Sequence, residues 1–223
     1  MLSYYITTTL ITLSILLVAW YFLGMWFNRR RGIHLARSLR DRLNALGAEE
    51  LTGRWVNASI FQFGVRRATS PIGKLAAIIV LESRELPLIW LVNLLRGRRD
   101  LLVLRMDLRS TPRAGLELEA HPKQTKPERE VRRRIAESGW EQATVGDYMI
   151  YHQHGAAHLK ETLAPLLEEW QPYLRRLSIS ASSPHLLLSF SPAPPVLETE
   201  ARFTAVQKLA EAILKRQGTR DKR

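Results

Sequence analysis

Hydrophobic positions run almost unbroken through the first 28 residues, which contain no Asp, Glu, Lys or Arg. From Tyr4 to Phe27 the chain reads YYITTTLITLSILLVAWYFLGMWF, 24 residues in a row. As a helix rising ~1.5 Å per residue, this reaches ~36 Å, enough to cross a ~30 Å hydrocarbon core with some tilt. Tyr4 and Tyr5 at one end, and Trp20, Tyr21, Trp26 and Phe27 towards the other, suit the interfacial belts that amphipathic rings prefer. A cleaved signal would need a cationic segment before the run and a small-residue cleavage site after it. Here no cation precedes the run, and bulky residues with Gly24 close it, so the pattern predicts a retained anchor. Arg29, Arg30 and Arg31 flank the span at once, followed by Arg37, Arg40 and Arg42. By the positive-inside rule the N-terminus lies outside and the remainder is cytosolic. The membrane is then the plasma membrane in a prokaryote or the endoplasmic reticulum in a eukaryote.

Beyond the anchor the periodicity changes. Ile33 to about Glu50 has apolar residues at Leu35, Leu39, Leu43 and Leu46 opposite an Arg-rich face, which predicts a separate helix. That helix either lies on anionic lipid or packs its Leu stripe on the domain below. Arg54–Val65 and Lys74–Ser83 read as strands around Thr69-Ser70-Pro71. Leu86–Leu95, with Pro87 near its start and Gly97 past its end, reads as a helix. Asp100–Leu108 and Ala114–Ala120 are further strands, Lys126–Ser138 a charged helix, and Trp140 the cap of a core edge. Gly146–His152 is a short strand and Ala156–Trp170 a helix. Arg175–Ala181 and His185–Ser191 pair as a hairpin over Ser182-Ser183-Pro184, and Glu198–Gln217 is a last helix. Strands coming in pairs between helices predict an α+β fold, as one compact domain or two small lobes meeting near residues 122–145. The organisation is an anchor over 1–28, a basic juxtamembrane helix over 29–50, a cytosolic domain over 51–195, and a basic C-terminal helix and tail over 196–223.

Composition narrows the chemistry. The 223 residues include no Cys, which excludes disulfides, thiolate metal sites and a thiol nucleophile. Lys and Arg number 33 against 21 Asp and Glu, a net charge of +12. Cations cluster at Arg66-Arg67, Arg96-Gly97-Arg98-Arg99, Arg132–Arg134, Arg175-Arg176 and the tail Lys215, Arg216, Arg220, Lys222 and Arg223. Each cluster alone reads as a solvated surface, but together they point to a polyanion, either RNA phosphate or anionic lipid. The candidate polyanion contacts are Arg96, Arg98, Arg99 and the five tail cations. Weaker signals are the H-x-H-x3-H of His152, His154 and His158, whose spacing suits a metal, and the carboxylates Glu82 and Glu85 around Arg84. The latter read either as an acid/base pair or as solvated ion pairs at a strand-to-helix turn. No phosphate-binding glycine loop, nucleophile elbow or zinc-protease helix occurs, so no cofactor is expected.

The order of segments resembles a known family. Gly53-Arg54-Trp55, LESRELPLIWLVNLLRGRRDLLVLRMDL (Leu81–Leu108), GDYMIYHQHGAAHLKETLAPLLEEWQPYLRRLSIS (Gly146–Ser180), HLLLSFS (His185–Ser191) and a helix entering a basic tail follow a single span. This is similar to the calumin family, the coiled-coil-domain protein of the endoplasmic reticulum within the PAT complex (protein associated with the translocon). The resemblance covers roughly residues 50–217 and is strongest at Leu81–Leu108. It implies a non-enzymatic accessory or chaperone for membrane-protein insertion, with the Sec translocon, the ribosome (through rRNA phosphate), a small multispanning partner and nascent membrane proteins as partners. The family's acidic luminal region is missing and its long coiled coil is cut down to Glu198–Arg223, as in a minimal prokaryotic relative. Two other expectations stand beside it: a membrane-anchored scaffold on anionic lipids, and a metal-dependent enzyme at the three histidines.

Overall fold

The computed structural model describes residues 1–45, 48–68, 70–113, 115–120, 133, 137, 139–146, 148–153, 159–171, 173–191 and 200–215. Its first element is a single helix, α1 (Leu2–Ala45), of 44 residues. The separate helix expected over 29–50 is the lower part of α1, which ends at Ala45 so that a strand begins at Glu49. Arg29 to Gly32 interrupts the apolar run but leaves every backbone bond of the helix intact, so composition breaks there and geometry does not.

The two ends of α1 meet different surroundings. Residues 4–23 are exposed throughout. The hydroxyls there bond back to their own helix, Thr8 to the Tyr4 carbonyl at 2.9 Å, Thr12 to that of Thr8 at 2.9 Å, and Ser14 to that of Leu10 at 2.8 Å. From Gly24 down, one stripe is buried at helical spacing: Gly24, Asn28, Gly32, Leu35, Leu39 and Leu43. The Leu stripe therefore packs on the domain, while Arg29, Arg30, Arg37 and Arg40 face outward.

Among the described residues the domain is built on nine antiparallel strands: β1 (Glu49–Asn57), β2 (Ile60–Arg67), β3 (Ile72–Val80), β4 (Leu101–Leu108), β5 (Leu116–Ala120), β6 (Glu141–Val145), β7 (Tyr148–His152), β8 (Leu174–Ile179) and β9 (Leu186–Phe190). Their order in one sheet is β1-β2-β3-β4-β9-β8-β5-β7-β6. Two departures from the sequence reading are local. The stretch from Arg54 is a hairpin because Asn57 turns the chain, its Oδ1 accepting the Ser59 N–H at 2.9 Å. The strand β6 is a second hairpin arm, reached through Gly146 at φ +56°, a left-handed value that favours glycine. The charged helix expected over Lys126–Ser138 lies outside the described residues except for Arg133 and Glu137, an exposed helical pair 2.8 Å apart.

Register explains the core. Phe63, Ala77, Leu104, Leu188, Leu177, Leu118 and Ile150 are successive cross-strand partners, so they form one row on one face. All are buried, and they share one apolar cluster with the α1 Leu stripe and with α3 (Leu159–Trp170) and α4 (Glu200–Lys215). In α3 the inward positions are Leu159, Leu163, Leu167 and Trp170; in α4 they are Phe203, Val206, Leu209, Ala210 and Ile213. Trp170 stands edge-on to Phe190 with centroids 5.7 Å apart. The fold is α+β, and the pairing of β4 with β9 joins strands of both halves in one sheet.

Candidate functional site

The helix α2 (Pro87–Leu95) and the turn before it bring a polar cluster against α1. Asn28, the first polar residue after the apolar run, is completely buried. Its amide donates to the Glu82 carbonyl at 2.9 Å and to Glu85 Oε2 at 2.9 Å, and its Oδ1 accepts from Arg84 at 3.0 Å. Ser59 donates to Glu85 Oε1 at 3.1 Å. Below this, Asp100 has a side chain 1% exposed and takes Arg31 Nε at 2.6 Å, both terminal nitrogens of Arg84 at 3.2 Å and the Glu82 N–H at 3.0 Å. Arg84 also reaches Glu82 Oε2 at 3.3 Å and lies 5.5 Å over the Phe27 ring.

Chemically this is a fastening. Each carboxylate faces a guanidinium or a hydrogen-bond donor, Glu82 through Oε2 alone with its buried Oε1 unpartnered, and the donors come from three segments distant in sequence. Low local dielectric strengthens such a network while it is complete and penalises any missing member. The expectation of solvated ion pairs at Glu82, Arg84 and Glu85 is therefore corrected: Glu82 and Asp100 are buried because α1 lies across them. Arg31 is likewise engaged with Asp100, whereas Arg29 and Arg30 are exposed, Arg30 lying over Trp26. Asn28 is the member that sequence reasoning missed. Its signal was a lone amide placed between the apolar run and the arginines.

Above the cluster the contact continues up α1. Trp20 Nε1 donates to the Arg84 carbonyl at 2.9 Å, and the Trp20 ring lies 5.8 Å from that of Trp90 in α2. Gly24 is required by close approach, since a Cβ there would stand 2.5 Å from the Arg84 carbonyl oxygen and 2.7 Å from Glu85 Cα. Those atoms are backbone and cannot swing aside. Gly24→Leu is expected to cost about 1–3 kcal/mol through overpacking and to quicken trypsin cleavage after Arg84. An unchanged cleavage rate would count against this contact.

The other candidates are dispersed. Arg96, Arg98 and Arg99 are exposed just beyond α2, with Arg98 donating to Asn93 Oδ1 at 3.3 Å. Lys215 is the last residue of α4, and Arg216, Arg220, Lys222 and Arg223 lie outside the described residues. His152 is buried in β7, its Nδ1 3.1 Å from the Gln153 carbonyl and its Nε2 3.7 Å from Glu141. His154 and His158 lie outside the described residues, and among those described no three His, Asp or Glu side chains converge as a metal site. An open groove lined by Val65, Lys74, Arg105, Asp107 and Pro184 has its carboxylate occupied, Ser183 donating to Asp107 at 2.6 Å.

No family model matches the sequence, and no curated protein matches it. Among solved structures the chain is similar to the crystal structure of the mycobacterial trehalose monomycolate transport factor A, TtfA. The identity is 13%, over 81% of this chain and 94% of that one, with a TM-score of 0.41, a likeness too slight to carry an argument about role.

Proposed function

We propose that this is a single-pass membrane protein that holds a cytosolic α+β domain in a fixed attitude at the bilayer and works by binding rather than catalysis. One observation carries the reading. The exposed apolar half of α1 continues without a break into a half that is locked to the sheet through Asn28, Arg31 and Asp100. A flexible tether would only raise local concentration, whereas a locked helix also sets orientation. The exposed arginines Arg29, Arg30, Arg37 and Arg40 support an N-terminus outside. That both oxygens of Glu85 and of Asp100 are engaged by donors supports binding over acid/base chemistry.

The particular role we propose is that of an accessory to membrane-protein insertion beside the Sec translocon, meeting ribosomal RNA phosphate through the cations at the end of α4 and in the tail. A small multispanning protein and nascent membrane proteins are its further partners. The test is co-sedimentation of the detergent-solubilised protein with ribosomes over a salt series, with mass spectrometry of what travels along. Ribosomes and Sec subunits are expected at low salt and lost as salt rises. Reversing Lys215, Arg216, Arg220, Lys222 and Arg223 to Glu is expected to weaken binding and flatten its salt dependence. Sedimentation free of ribosomes at every salt concentration would remove this role and leave the anchored domain.

A further inference from the structure

We infer that α2 is a second, shallow membrane insertion, immersed in the lipid of the cytosolic leaflet beside α1 and held at its far end by headgroup phosphate. It rests on α1 being a membrane span. The helix reads PLIWLVNLL, and none of its residues is buried. Six of the nine are exposed Leu, Ile or Val, with Leu88 at 76% and Leu95 at 78%. Scattered exposed apolar side chains need no explanation, but a helix that is apolar all round belongs in a non-aqueous setting. Asn93, its one strongly polar residue, has its Oδ1 engaged by Arg98.

What covers this helix is indicated by where it docks. Its partner on α1 is not the buried lower stripe but Trp20, four residues above Gly24 and within the exposed apolar segment. Trp90 therefore lies at the depth of a residue that itself faces lipid. Nine residues extend ~13.5 Å, too short to cross a bilayer but suited to burial ~5–10 Å into the headgroup and acyl boundary.

The ends agree with that placement. Pro87 opens the helix without a backbone N–H, removing one donor that lipid would leave unpaired. At the other end Gly97, at φ +67°, stops the helix and turns the chain into Arg98 and Arg99 beside Arg96. Three cations at a helix C-terminus are favoured by its dipole and complement an anionic headgroup. A protein partner would give no reason for an apolar helix to sit against the exposed apolar segment of α1 and end in arginines. On this inference Arg96, Arg98 and Arg99 meet lipid phosphate, and the ribosome contact belongs to the tail.

The absence of cysteine makes the test direct. Single cysteines replacing Leu88, Leu13 and Glu211, each exposed, are labelled with an environment-sensitive fluorophore in the full-length chain. The protein is reconstituted in phosphatidylcholine vesicles with and without phosphatidylglycerol. Labels at Leu88 and Leu13 are expected to be quenched by doxyl lipids and shielded from iodide, and the label at Glu211 the reverse. Charge reversal of Arg96, Arg98 and Arg99 to Glu is expected to reduce lipid quenching at Leu88, most in phosphatidylglycerol, and to leave Leu13 unchanged. A label at Leu88 open to iodide while Leu13 is quenched by lipid would overturn the inference and spare the span. Leu13 open to iodide would overturn the span itself. A label at Leu88 shielded from both quenchers would mean that a second copy of the chain covers α2, and would equally overturn the inference.

Discussion

Asp100→Ala is expected to destabilise the protein by about 3–5 kcal/mol, the usual consequence of removing one partner from a buried ion pair. Asp100 accepts from two guanidinium groups and one backbone N–H, and its side chain is 1% exposed. Without it, Arg84, itself 18% exposed, keeps Glu82 and Asn28 but loses its main counterion. The Glu82 N–H loses its acceptor in the same step. Arg31 suffers less, because at 36% exposure it reaches water. Asp100→Asn retains one acceptor oxygen for the Glu82 N–H and Arg84 but removes the charge and turns the oxygen that accepts from Arg31 into an amide donor, so an intermediate loss is expected. A double-mutant cycle with Arg31→Met separates the two guanidinium contributions, since contacting residues in one network do not add independently. Urea titration in mild detergent, followed by near-ultraviolet circular dichroism, checks all of these. A loss below about 1 kcal/mol for Asp100→Ala, the range of exposed pairs, would mean that the cluster is solvated after all.

The parts of this fold that were legible in the sequence are those fixed by neighbours along the chain. The apolar segment Tyr4–Phe27 is visible because its pattern is local, as are β3, β4 and β9, whose runs of Ile, Val and Leu favour strands. The ends of α2 were announced by Pro87 and Gly97. What stayed hidden depends on partners distant in sequence. Leu102 faces Phe190 and Leu104 faces Leu188 across a β4–β9 pairing that no local rule specifies. The β6 segment EQATV alternates weakly and takes its strand identity from Tyr148–His152 opposite. The sequence ESRE at 82–85 looks like any charged turn until α1 covers it. The same limitation concealed the setting of α2: its nine nearly all-apolar residues read as a helix, but nothing local says that they are left exposed with Trp90 against Trp20 of α1. Continuity of α1 was missed for a related reason. The arginines at 29–31 mark a change of environment, and a helix crosses such a boundary without a change of backbone.

That continuity sets up a contrast within one helix. Leu39→Ala is expected to cost about 2–5 kcal/mol, because Leu39 is fully buried among sheet and helix side chains and its removal leaves a cavity. Leu13→Ala, made on the same helix 26 positions earlier, is expected to change domain stability by less than about 0.5 kcal/mol. Leu13 is 52% exposed and lies in the exposed apolar stretch of α1, above Trp20. Helix propensity is the same term in both substitutions, so it cancels and leaves packing as the difference. Urea titration of both variants in the same micelles measures it. Equal losses would place protein against the upper half of α1 or remove it from the lower half, and the locked anchor would no longer hold. A large difference means that the domain grips α1 only from Trp20 downward, so the orientation of the domain is set at the junction while the helix above it answers to its solvent alone.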